Sequence, residues 1–187
     1  MGIYKDVMGT LVRVLAADNI DNSTKQSWQK LIDADMRQGG TGSTLSVRDK
    51  FDYDCCLYAL LHRRLEAAHW DVLVAKYSTH KANKVAAIGR LVSRMVSPAP
   101  QLFVYKALTA WAIPKLKGVQ SGKRSTDMIV LSAEFYDMNT WETGASPERT
   151  RHRWKSGIHK RLEQIEEAAV IHVTEIFDQE QIFIDAA

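Results

Sequence analysis

Between Arg149 and Arg161 the chain carries six Arg or Lys and two His, with Trp154 and Ile158 as an apolar seam among them. Arg and Lys at this density are binding residues for anionic polymers. They neutralise phosphates, and a guanidinium fork can also pair with the acceptor edge of guanine. Arg149, Thr150, Arg151 and Arg153, at the start of the block, suit contacts to base edges in a groove. Lys155 and Lys160, with Lys123 and Arg124 upstream, suit phosphates. His152 and His159 lie seven residues apart on one helical face and read as further contacts to nucleic acid, or as surface residues, rather than as metal ligands. The same pattern also fits a solvated basic face on a structural helix.

Other chemistry is poorly supplied. His62, His69 and His80 are scattered, and the neighbouring Cys55 and Cys56 lack a second pair at zinc spacing, so no metal is expected. The cysteines read as small buried residues. Asp49, Asp52 and Asp54 could mimic a carboxylate cluster but read better as the acidic first turn of a helix. No phosphate-cradling glycine loop, nucleophile elbow or zinc-binding helix motif occurs, so neither catalysis nor a cofactor is expected.

The basic block needs a helix to hold it. Ser146 can cap one, Pro147 fits its first position, and Glu148 sits at the positive end of its dipole. The apolar stripe Trp154, Ile158, Leu162, Ile165, Ala169, His172 or Val173, and Ile176 then carries that helix to about Phe177. Helical spacing recurs over 3–16, from about 24 to 36, from Ser46 to Leu65, over 70–77, 83–95 and 102–113, and from Thr126 to about Tyr136. Residues 178–187 read as a tail, in which Ile182-Phe183-Ile184 could pair as a short strand or pack on a neighbour. The expected fold is all-α, with two helix-turn-helix-like units and a long C-terminal helix.

Breaks in composition divide the chain. Residues 1–38 form an N-terminal helical pair, and the glycine-rich 39–45 a linker. Residues 46–116 form a central helix-turn-helix-like unit, 117–125 a basic linker, and 126–187 a C-terminal unit with the basic helix and an acidic tail. The net charge of +3 is mild, so distribution matters more than total. From Glu163 onward seven Asp or Glu occur and no Lys or Arg, which suits a protein contact or plain solvation. With no leader pattern and no run of eighteen apolar residues, the expectation is a cytoplasmic protein away from membranes.

Two stretches resemble known families. Gly144 to Leu162, where a small-residue turn and Ser146-Pro147-Glu148 lead into the basic helix, resembles the end of a sigma-factor region 4 helix-turn-helix. Leu60-Leu61-His62-Arg63-Arg64-Leu65, Trp70 to Ser78 and Lys84 to Leu91 are similar to phage antitermination proteins of the Q type. The resemblance implies a helical phage or prophage regulator in the bacterial host's cytoplasm. Such a regulator binds double-stranded DNA and then host RNA polymerase. A small terminase subunit, with a long helix for homo-oligomer assembly, and a protein-binding adaptor without catalysis remain the alternatives.

Overall fold

The computed structural model describes residues 6–17, 47–115, 129–144 and 146–183. Six α-helices and two short 3-10 turns make up the regular structure among them, without a strand. The helices are α1 (Val7–Ala17), α2 (Val47–Arg64), α3 (Ala67–Tyr77), α4 (Lys81–Arg94), α5 (Gln101–Ala112) and α6 (Glu148–Gln179). The helix expected over 24–36, the glycine-rich linker and the basic linker with Lys123 and Arg124 fall outside the described residues. Among the described residues, no helix is long and apolar enough to cross a membrane.

The chain forms two compact units, one of residues 1–65 with 170–187 and the other of 66–169. In the first, α1 packs on α2. Asp6 opens α1 by accepting from Gly9 N at 2.6 Å, which satisfies one of the amides left over at a helix start. Leu11, Val14 and Leu15 are buried here, as are Leu57, Leu61, Val173, Ile176 and Phe177. Asp54 is buried and meets Arg13 Nε at 2.7 Å. It is therefore an ion-pair partner inside the unit, whereas the sequence suggested a place in the acidic first turn of the helix, which holds only Asp49. Past α6 the chain turns rather than pairing as a strand, and the Phe183 ring meets Phe177 edge-on with centroids 5.6 Å apart. Cys55 is half-buried and Cys56 exposed, which corrects the expectation that both are buried.

The second unit is built on α3, α4 and α5, which pack on one another in sequence. Trp70 to Ala75 is buried throughout, so α3 is the central helix and its lone acid, Asp71, needs a partner. Three residues join α3 to α4. In that turn Ser78 Oγ accepts from His80 N at 3.1 Å, and His80 Nδ1 accepts from Asn83 N at 3.2 Å. Each local bond satisfies a backbone amide that the helix ends leave without a partner. Lys84 reaches back to donate to Ala75 O at 2.7 Å and Lys76 O at 3.0 Å, placing a cation on the negative end of α3.

The helix expected from Thr126 to Tyr136 does not form over its described part. Residues 129–132 are irregular, and two 3-10 turns follow, Ala133–Tyr136 and Met138–Thr140. Side chains that compete with a helix's own bonds explain this. Asp137 Oδ1 accepts from Asn139 N, and Thr140 Oγ1 donates to Asp137 O at 2.9 Å. Tyr136 OH also donates to Ile113 O at 2.8 Å, fixing the segment at the end of α5. A helix-turn-helix ending in α6 therefore has no first helix among the described residues of this stretch.

Candidate nucleic-acid interface

The turns deliver Trp141 to the base of α6. Its side chain is fully buried, and its Nε1 donates to Phe135 O at 2.6 Å. Phe103 of α5 meets Trp141 and Trp154 edge-on, with centroids 5.3 Å and 5.5 Å apart. Such contacts contribute about 0.5–1.5 kcal/mol each beyond the area they bury. Ile158 and Leu162 extend the buried seam along α6. Pro147 O accepts from Thr150 N and Arg151 N, so the helix begins at Glu148, one residue later than its sequence suggests.

This seam fixes where each basic residue points. Arg151 turns inward with its side chain 16 % exposed, 3.9 Å from a Glu142 carboxylate that is 1 % exposed. No described residue hydrogen-bonds to the Glu142 oxygens or to Arg151 Nε, so only charge attraction holds the pair. Lys155 Nζ lies 5.3 Å from the centroid of the Trp141 ring. Thr150 is half-buried. His159 Nε2 lies 3.2 Å from Ala107 O, and burial pushes its pKa below the usual histidine value. The Ala107 bond and Glu163 partly offset that shift, while Lys155 adds to it.

The opposite side of α6 is different. Arg149, Arg153 and Lys160 are all exposed. Steps of four and seven residues bring them to nearly one azimuth of a helix turning by 3.6 residues. Ser156 and Gly157, both exposed, lie between them along the stripe. A Cβ built on Gly157 would meet nothing within 4 Å, so packing inside the protein does not require the glycine. His152 is exposed and lies 3.5 Å from the equally exposed Glu148. Beside the stripe, an open groove of about 610 Å³ is lined by His152, Lys155, Ser156, His159, Lys160 and Glu163.

Helical spacing divides these basic residues into two sets on either side of the Trp154–Ile158 seam. The structure exposes one, Arg149–Arg153–Lys160, and turns the other, Arg151 and Lys155, against Glu142 and Trp141. Glu142 escaped the sequence reading because nothing in its neighbourhood distinguishes it from a solvated loop acid. Asp71 did carry a signal, as the only acid in the apolar run from Trp70 to Ala75.

The helix-turn-helix-like pair α3–α4 holds the second set of cations. Arg90 meets Asp71 Oδ1 at 2.7 Å and Arg94 meets Oδ2 at 2.5 Å, and the Asp71 side chain is 3 % exposed. Lys76 and Tyr77, at the end of α3, both bond the Glu166 carboxylate of α6. Burial, with the Glu166 contact, pushes the Tyr77 hydroxyl well above its usual pKa. These groups lock helices together. No protein family, curated protein or solved structure matches this chain.

Proposed function

We propose that this protein is a DNA-binding transcription regulator acting in the cytoplasm of a bacterial host, and that α6 is its contact helix. One observation carries the reading. Arg151, which α6 turns inward, faces the Glu142 carboxylate, while Arg149, Arg153 and Lys160 stand exposed in a row with no ion pair among the described residues. A row of that kind suits the regularly spaced phosphates of a duplex. Ser156 and Gly157 keep its middle low, so a phosphate backbone can approach closely. The similarity to phage antitermination proteins adds the regulatory class, with host RNA polymerase as the second partner.

Fluorescence anisotropy with a labelled duplex at stepped salt tests the DNA contact. Three neutralised phosphates give a log–log slope of about −2.7. Absence of binding at low salt would overturn the reading. Preferential binding of RNA would move the protein to another class. Polymerase binding is tested separately, by co-purification of the host enzyme with the full chain.

A further inference from the structure

The groove beside the exposed stripe holds two imidazoles that the stripe itself lacks. We propose that His152, Lys155, Ser156, His159 and Lys160 form a seat for one phosphoryl group, and that protonation of His159 tightens it. The inference rests on the nucleic-acid reading of α6 and names a ligand chemistry and a control for that same surface.

Spacing makes the seat. The five residues fall at steps of three, one, three and one, which places them along one side of the helix over little more than two turns. They bring two ammonium groups, two imidazoles and a hydroxyl to a groove of about 610 Å³, ample for a phosphoryl group. Glu163, at its C-terminal end, is the only acid lining it among the described residues.

His159 supplies the control. A carbonyl oxygen only accepts, so the contact with Ala107 O keeps a proton on Nε2. In the neutral ring Nδ1 is then an acceptor, which repels a phosphate oxygen. Protonation turns Nδ1 into a donor and adds a positive charge, so one proton converts the ring from opposing the anion to binding it. Burial pushes the His159 pKa below the usual histidine value, which favours the neutral, weaker state. The groups facing it are Lys155 and Glu163, one turn to either side, with His152 and Lys160 also lining the groove. From α5 it meets the Ala107 carbonyl, and the neighbouring Lys106 is occupied by Thr140 O at 2.7 Å.

The test follows the imidazole protons of the full chain by NMR while pH is varied, in inorganic phosphate and in chloride at equal ionic strength. Phosphate should raise the apparent pKa of His159 by about one unit, equivalent to about tenfold tighter binding to the protonated ring. His69 and His80 should not move, and Lys160→Gln should shrink the shift. Equal His159 titrations in phosphate and chloride would overturn the seat. A second arm measures duplex affinity at about pH 5.5 and about pH 8, spanning the usual histidine range. Wild type should bind more tightly at the lower value, and His159→Gln should reduce that dependence, with His152 supplying what remains. A phosphate shift without duplex binding would keep the seat, assign it to free phosphate and reject the duplex reading. Duplex binding without a phosphate shift would do the reverse.

Discussion

Helices α4 and α6 both follow short turns, and both carry arginines and lysines, yet they use them differently. In α4 the arginines at 90 and 94 share the two oxygens of the buried Asp71, and Lys84 sits on the last carbonyls of α3. In the first half of α6, Arg149, Arg153 and Lys160 are exposed in a row with no ion pair among the described residues. A basic helix is thus not one kind of object. Cations that answer a buried acid or a helix end hold the fold, and cations without such an answer are available to a partner. This difference favours α6 over α4 as the contact helix.

The comparison can be broken most severely at Asp71. Replacing it with Ala removes charge-assisted bonds to two arginines that remain partly solvated, and should cost about 2–3 kcal/mol in urea denaturation. A loss near zero would mean that the α4 arginines are as available as those of α6. The converse variant, Arg149→Ala with Arg153→Ala and Lys160→Ala, should leave stability within about 0.5 kcal/mol by the same measurement.

Lys84 sharpens the comparison through pH. Burial lowers its pKa from 10.5 to about 8, so the folded protein sheds this proton before the unfolded chain does. Between those values the unfolded state binds more protons, so the Lys84 contribution to stability rises with pH. Urea midpoints of wild type relative to Lys84→Met should therefore climb from about pH 8 towards about pH 10. A flat difference would mean that the ammonium is fully solvated. Tyr77, with its pKa raised, opposes this trend only once pH passes the usual tyrosine value.

The smallest effect is at Gly157. With nothing within 4 Å of a built Cβ, Gly157→Ala should stabilise the fold by about 0.5–1 kcal/mol, because the glycine costs helix propensity without a packing return. If a duplex approaches α6 there, the same variant should bind DNA more weakly while being more stable. Equal or tighter binding would place the contact elsewhere.

Much of this was legible from periodicity. Apolar spacing located α4, α5 and the full run of α6 to within a few residues, because each buries one face against its neighbours, and the continuous apolar run from Trp70 marked α3, which is buried all round. The segment before α6 was not legible. Met128, Val130, Leu131 and Phe135 have helical spacing, but the bonds within Asp137, Asn139 and Thr140 and the Tyr136–Ile113 contact select short 3-10 turns over its described part. Within the candidate site, the identity of the basic residues was plain and their direction was not. Arg149 and Arg151 look equivalent in sequence. Only the position of Trp141 and Glu142 decides that one faces solvent and the other a buried carboxylate.

The most direct test of that division is the salt dependence of duplex binding for two variants measured side by side. Arg149→Ala with Arg153→Ala and Lys160→Ala should flatten the log–log slope by about 2.7 and weaken binding at low salt at least about tenfold. Arg90→Ala with Arg94→Ala should lose stability yet keep the wild-type slope. If the α4 variant loses the slope and the α6 variant keeps it, the assignment of α6 as the contact helix is contradicted.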